Sequence, residues 1–484
     1  MRIVTGLAAS GKTSMLLREI AEKAEANRGR QILLVPELNS HQMERRLAAA
    51  THNHGARTAE VLTFSRLADR VFAVVGGLAQ QMLTPAGQLL TLQEAARRVQ
   101  VGLTAWSGLA DKPELLSETL ALIDECKSCM IEPEMLFRAS EESALDEDAA
   151  LSAKLCDLAQ ILTQYDSLCE ETLPDPRDRL THLRDGLAES HVLDGAEVYL
   201  DGFLSYTPQE LAIIEVMLSS GVPLTAAVTC DVELPDVFVT GCRTLRTLTR
   251  MAERCSRRPE LVDLGAGKMP RPAGLAAVAN EALLPVRQAH EDASGVRLYE
   301  AASPFDECEH AAAYIRRKVR DEGAHYRDFV IAARDIGPYS ASLAMAMGRY
   351  DIPMFLADKP DLLSRPPMAL VIGALESVRS NFGCRELFGC LKTGLTGLAW
   401  DEIDRLENYA ITWKIHGAAW ERDWVEHPDG YGIPVDEAAQ MQLDELNELR
   451  ARAIAPFAAL RERLKGEQPS AECVRALYDF LLAV

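Results

Sequence analysis

The stretch Gly6-Leu7-Ala8-Ala9-Ser10-Gly11-Lys12-Thr13 follows an apolar run, Met1-Arg2-Ile3-Val4-Thr5, and opens a helical pattern carried by Met15, Leu16 and Ile20. Glycines at both ends let backbone amides converge on one point, and the helix that starts there adds the positive end of its dipole. Lys12 and Thr13 complete a strand, loop and helix of P-loop type, the lysine suited to phosphate oxygens and the threonine hydroxyl to Mg²⁺. A plain Gly/Ser turn between strand and helix would account for the glycines, but not for Lys-Thr at this offset. Nucleotide binding at Gly6, Leu7, Ala8, Ala9, Ser10, Gly11, Lys12 and Thr13 is therefore the first expectation.

Outward from the loop, strand and helix alternate. Gln31-Ile32-Leu33-Leu34-Val35 reads as a buried strand ended by Pro36, with Asn39 placed to cap a helix over 40–50. Glu60-Val61-Leu62-Thr63-Phe64 repeats the strand, and Ser65 starts a helix with Leu67, Val71 and Phe72 on one face. From about residue 84 to 191 the pattern is helical only. It returns to strand at 196–201, helix at 208–218 and strand at 222–229. Such alternation implies a parallel sheet covered on both sides, interrupted by a helical insertion. Residues 259–294, with Gly265, Gly267, Pro270, Pro272 and Gly274, read as a connection. A second α/β unit is then expected, with strands at 296–299, 329–333 and 353–356 and helices at 305–319 and 339–347. From Pro366 the pattern is helical. The run 474–484 reaches the last residue with no glycine or polar cap, and reads as an interrupted segment.

The composition fits this picture. A chain of 484 residues, 48% hydrophobic and 25% charged, has room for roughly three or four domains. Eleven scattered cysteines suit reduced thiols in a cytoplasmic protein. The one C-x-x-C, Cys126 and Cys129, lies in a helical pattern with no second pair at zinc spacing, so a helix turn is the simpler reading. No apolar run is long enough for a membrane span, and no membrane partner is expected. A net charge of −21 argues against a protein that coats nucleic acid through bulk charge, but not against one with a local basic groove. The acidic run around 132–148 reads as a solvated connection.

Asp201 closes the apolar strand Val198-Tyr199-Leu200, the place where a P-loop ATPase keeps the aspartate that holds Mg²⁺ through water. The alternative is a residue that merely ends a strand and starts a turn with Gly202. Arg243, Arg246, Arg250 and Arg254 share a helix face, with Arg257 and Arg258 beyond. They suit either a DNA backbone or a solvated surface, as do Arg316, Arg317, Lys318 and Arg320. Trp413, Trp420, Trp424 and Tyr409 suit base stacking or, more simply, a helical core. His182 has no metal-spaced partner.

In this order the motifs are familiar. The P-loop, Ile32-Leu33-Leu34-Val35-Pro36-Glu37, Val61-Leu62-Thr63-Phe64-Ser65-Arg66-Leu67, Val198-Tyr199-Leu200-Asp201-Gly202-Phe203 and Thr207-Pro208-Gln209-Glu210 resemble the B subunit of the AddAB (RexAB) helicase–nuclease. So do Asp328-Phe329-Val330-Ile331-Ala332-Ala333-Arg334 and Leu406-Glu407-Asn408-Tyr409, and the likeness runs along essentially the whole chain. The resemblance implies P-loop RecA-like parallel sheets of a superfamily 1 helicase-like fold with large helical insertions. Residues 1–85 and 190–258 would form the first RecA-like domain and 86–189 its insertion. Residues 259–274 would connect it to the first part of a second such domain at 275–365, with 366–484 a truncated insertion.

The resemblance further implies ATP and Mg²⁺ as ligands, held by the P-loop with Thr13 and Asp201 at the metal. It implies single-stranded DNA contacts at Pro36, Asn39, Phe64 and Ser65, a partner A subunit, and a role in processing DNA double-strand breaks. A nuclease domain with an iron–sulfur cluster is expected only beyond this chain. Departures from the family pattern point to a degraded motor. Gly202 stands where an active helicase has a water-orienting glutamate, the segment expected to read Asp-x-Gln-Ser is Thr229-Cys230-Asp231-Val232, and the return half of the second domain is not found. An active DNA-stimulated translocase and a non-enzymatic DNA- and partner-binding scaffold with a relic P-loop are the two alternatives.

Overall fold

The computed structural model describes residues 1–52, 58–146, 148–265, 271–281, 289–356, 362–363 and 365–484. Two compact units divide the chain, Met1–Arg297 and Leu298–Val484. The predicted loop positions Gly267 and Pro270 and the acidic Glu147 lie outside the described residues.

The first unit is built on one sheet. In chain order its elements are β1 (Arg2–Gly6), α1 (Lys12–Glu25), β2 (Arg30–Leu34), α2 (Ser40–Ala50), β3 (Ala59–Leu62) and α3 (Phe64–Val75), then helices α4 (Pro85–Val99), α5 (Pro113–Ser128), α6 (Pro133–Leu145), α7 (Ala149–Glu171) and α8 (Arg179–Ser190), followed by β4 (Ala196–Leu200), α9 (Pro208–Ser219), β5 (Leu224–Thr229), α10 (Val239–Arg254), β6 (Glu260–Asp263) and α11 (Ala273–Glu281). The sheet order is β3-β2-β4-β5-β1-β6. All five ladders are parallel. Parallel strands need helical crossovers on both faces, so their residues are apolar throughout and not alternating. Ile3, Ile32, Leu34, Val198 and Ala226 face one helical layer. Val4, Leu33, Val35, Tyr199 and Ala227 face the other, with Leu16, Leu17 and Ile20 of α1 and Met43 and Leu47 of α2. This is the parallel sheet covered on both sides that the alternating pattern predicts, and it fits the RecA-like fold that the resemblance implies.

Helices α4 to α7 hold a separate core around Leu92, Ile123, Ile161, Leu162 and Tyr165. Helix α8 does not belong to it. Its Leu183 and Leu187 enter the sheet core beside Leu67 and Val71 of α3, so the helical cover of the sheet resumes earlier than residue 190. A short strand, β6, stands where the sequence reads as a connection. It pairs Arg2 with Glu260 and Thr5 with Asp263, and its polar Glu-Leu-Val-Asp make-up carries no periodic signal. Asn39 does not cap α2: a short 3₁₀ turn, Glu37–Asn39, runs into the helix, so Asn39 already has helical dihedrals and makes no side-chain cap bond. Helix α3 begins at Phe64, one residue before the expected Ser65, with Thr63 as its N-cap accepting from the Arg66 amide.

The second unit contains α12 (Pro304–Glu322), α13 (Ser340–Arg349), α14 (Pro366–Arg379), α15 (Cys384–Leu391), α16 (Trp400–Thr412), α17 (Glu437–Arg463) and α18 (Ser470–Ala483). The strands expected at 296–299, 329–333 and 353–356 do not form: among the described residues no strand follows β6. A buried parallel strand requires backbone partners on its edges. The segment 329–333 finds none among the described residues, and Val330 is 89% exposed. Helices α12 and α13 share a small core of Cys308, Ala312, Ile315, Leu343 and Met347. A larger one gathers Trp420, Trp424, Tyr409, Phe457 and Phe480 from the late helices.

Candidate nucleotide site at the carboxyl edge of the sheet

Strand β1 ends in the P-loop, whose turn needs unusual backbone. Gly6, Ala9 and Gly11 have φ of 152°, 60° and 95°. A side chain at position 6 would place its Cβ 2.6 Å from Ser10 Oγ, so close approach as well as φ demands glycine there. The Ser10 amide closes the turn on the Leu7 carbonyl at 3.1 Å, and the Leu7 amide donates to Gly265 after β6 at 3.3 Å. The amides of Ala8, Ala9, Gly11 and Lys12 are bonded to no other described residue. They are the donors that a phosphate needs.

Lys12 folds back over the loop. Its Nζ donates to the Gly6 carbonyl at 2.7 Å and the Leu7 carbonyl at 2.9 Å, and lies 3.5 Å from Ser10 Oγ. Burial pulls its pKa down, opposed by the charge of Asp201.

Asp201 arrives from β4, separated from β1 by β5 alone. Its amide donates to the Leu34 carbonyl at 3.1 Å, which fixes the carboxylate at the strand end. The residue is only 4% exposed. Burial pushes its carboxyl pKa up, while donation from the Thr13 hydroxyl and the Gly202 amide, and the charges of Lys12 and Arg46, pull it down. Oδ2 has no hydrogen-bond partner in the structure. A buried, unpartnered carboxylate oxygen is costly unless something completes it. With Thr13 beside it, the donor set is hard oxygen and fits Mg²⁺. The two side chains share a cleft of about 310 Å³ with the P-loop, Arg46, Phe203, Leu204 and Thr229.

Gly202 has φ +84°, and a Cβ there would lie 3.2 Å from Asn39 Nδ2 and 3.3 Å from Pro36 Cδ. The structure thus brings Pro36 and Asn39 against the residue after Asp201. Ser65 is exposed nearby in sequence. Phe64 is not: it is 5% exposed and packs edge-on against Phe203 at 5.8 Å. Its burial makes it a support for this edge, not a surface for a base.

Two cations around the loop had no signal in the sequence. Arg46 lies on α2, and neighbouring Arg45 makes it look like any solvated helix residue. Arg271 donates to the Ala8 carbonyl at 3.0 Å from a segment read only as a connection. Among the other basic residues, Arg243, Arg246 and Arg250 are exposed on α10, whereas Arg254 pairs with Glu215 at 3.0 Å. The later basic run is engaged locally, Lys318 with Glu322 and Arg320 with Asp321. Tyr409 and Trp424 stack at 4.4 Å inside a helical core, the simpler of the two readings of those rings. Cys126 and Cys129 are free thiols at the end of α5.

The family described as "ADDB, N-terminal" matches residues 3–268, from β1 through β6 and past the P-loop, insertion and Asp201. The chain belongs to this family. Its similarity to curated relatives extends further. The B subunit of an ATP-dependent helicase/deoxyribonuclease from Acetivibrio thermocellus is 30% identical over 99% of this chain and 43% of its own length. Proteins of the same description from Symbiobacterium thermophilum and Clostridioides difficile are 31% and 29% identical, each matched over 43% of its length. The chain therefore spans less than half the length of these relatives. Among the described residues, no helix is long and apolar enough to cross a membrane.

Proposed function

We propose that this chain is the helicase-like, N-terminal portion of the B subunit of an ATP-dependent helicase–nuclease that processes DNA double-strand breaks in the cytoplasm. It binds Mg·ATP and DNA while a partner A subunit supplies most of the motor. The observation that carries the reading is the buried Asp201 carboxylate, with one oxygen unpartnered, sharing a cleft with a P-loop whose Ala8, Ala9, Gly11 and Lys12 amides are bonded to no other described residue. In this role the amides from Ala8 to Lys12 hold phosphate oxygens, Lys12 moves from its own carbonyls to the β/γ-phosphates, and Thr13 and Asp201 position the metal. Mg²⁺, when bound, would neutralise charge on those phosphates.

Turnover is a separate matter. No carboxylate stands at position 202 to orient water, and the backbone there favours glycine. Pro36, Asn39 and Ser65 are the proposed DNA contacts on this edge. In this proposal residues 1–85 with 190–258, extended by α8 and β6 that the sheet takes in, form the first RecA-like domain, the rest of 86–189 its insertion, 275–365 the beginning of a second domain, and 366–484 the insertion of that one. The alternative, a relic loop kept for structure, is favoured by the three groups that Lys12 already engages within the loop.

Calorimetry with Mg·ATP on wild type and Lys12→Ala, followed by phosphate release with and without single-stranded DNA, separates these readings. We expect wild-type binding, weakened at least about a hundredfold in Lys12→Ala, and no DNA-stimulated release. DNA-stimulated release that needs Lys12 would establish a working ATPase and overturn the degraded-motor reading. Wild-type protein that binds nothing would establish the relic.

A further inference from the structure

Two cations line the P-loop cleft among the described residues, Lys12 and Arg46. Lys12 is committed to the loop carbonyls. Arg46 is exposed and has no ion pair or hydrogen bond to any described residue. Its neighbours on α2 are occupied otherwise: Met43 and Leu47 lock the helix into the core shared with Leu16, Leu17 and Ile20 of α1, and Glu44 pairs with Arg66. The helix that carries Arg46 is thus fixed to the helix that begins at the P-loop, so the arginine stem starts from a rigid base.

Position within the cleft decides what Arg46 can reach. Thr13 and Asp201 mark the metal end, where the β- and γ-phosphates of a nucleotide meet. Arg46 lines the same cleft as Thr13 and the Asp201 carboxylate, which has one unpartnered buried oxygen and whose pKa the guanidinium charge helps to lower. A nucleoside diphosphate can be held by the loop amides and Lys12. A third phosphate adds charge at the Asp201 end, and an uncommitted guanidinium there answers it with paired, charge-assisted donors.

Resting on the nucleotide-binding reading above, we infer that Arg46 is a γ-phosphate contact through which this site distinguishes a nucleoside triphosphate from a diphosphate. The residue is a specificity determinant supplied by the same domain as the P-loop. It makes occupancy of the site depend on the phosphate count even where no phosphate is released.

The test compares Mg·ADP with a non-hydrolysable Mg·ATP analogue by calorimetry on the whole chain, for wild type, Arg46→Ala and Arg46→Lys. The expected result is a loss of about tenfold in affinity for the triphosphate analogue in Arg46→Ala, ADP affinity within about twofold, and partial recovery in Arg46→Lys. Unchanged affinities for both nucleotides, or equal losses for both, overturn the inference while leaving nucleotide binding intact. Wild-type protein that binds neither overturns the binding reading and this inference together. Arg46 is exposed, so the variants are expected to fold, and matching far-UV circular dichroism checks it.

Discussion

Ile32-Leu33-Leu34-Val35 lies in and just after β2, hydrogen-bonded to β3 on one side and β4 on the other, with Leu33 only 1% exposed. Phe329-Val330-Ile331-Ala332-Ala333 has a similar apolar make-up, yet forms no strand and leaves Val330 89% exposed. Local composition is much the same; the partners differ. A strand is a property of a pair of segments, whereas a helix satisfies its backbone within itself. The comparison reaches function as well. Three paired strands of the first unit deliver their carboxyl ends to one cleft: β1 the P-loop, β4 Asp201, and β5 Thr229. Unpaired segments have no common edge on which to assemble a site.

The largest effect should come from truncating the two runs in parallel. Leu33→Ala is expected to cost about 3 kcal/mol, as a buried leucine at a close-packed site. Val330→Ala should stay within about 0.5 kcal/mol. Urea melts followed by circular dichroism measure both, and equal losses would mean that 329–333 is packed after all.

A smaller effect concerns the edge that only the paired sheet possesses. Gly202→Glu places a carboxylate where a working helicase would have one, but at φ +84°. A left-handed backbone costs a side-chain-bearing residue about 1–2 kcal/mol. The variant should be less stable by that amount and release no more phosphate than wild type; a gain in DNA-stimulated release would show that the edge tolerates the geometry.

The smallest shift is expected at Asp201. Burial raises its carboxyl pKa, so the folded chain holds that proton more tightly than the unfolded chain. Stability on this account falls as pH rises from the ordinary value of 3.8 through the raised folded value, and the buried carboxylate is a liability at neutral pH. Asp201→Asn should therefore stabilise the chain by about 1 kcal/mol at pH 7. The gain should vanish in acid, where Asp201 is protonated in both states, and Mg·ATP binding should weaken throughout. Thermal melts across pH check the sign, and a gain that grows in acid would contradict it.

These contrasts also explain what the sequence could show. The P-loop was legible because its chemistry is compressed into adjacent residues, and Asp201 because it closes an apolar strand. β2, β4 and β5 were legible as apolar runs in an alternating pattern. The missed features all depend on distant residues. β6 exists because β1 offers it an edge, and the polar Glu260 and Asp263 hide it. Phe64 is buried because Phe203 lies against it. Arg46 acquires meaning only when α2 is laid beside α1. The strands expected in the second unit failed for the converse reason: periodicity reports what a segment could bury, not whether a neighbour will cover it.

Strands β2 and β4 lie side by side although the entire helical insertion separates them along the chain. Their pairing closes one of the longest loops in the sheet. Loop-closure entropy grows only logarithmically, by about 0.6 kcal/mol for each doubling of length, so a large insertion here weakens the folded state little. Its burden falls on kinetics, since distant pairing slows the search. An insertion with its own core, such as the cluster around Tyr165, shortens the effective loop wherever it folds ahead of the sheet. Pulse-labelled hydrogen exchange during refolding is therefore expected to protect amides of the Tyr165 core before those of the β2–β4 ladder that ends at Asp201.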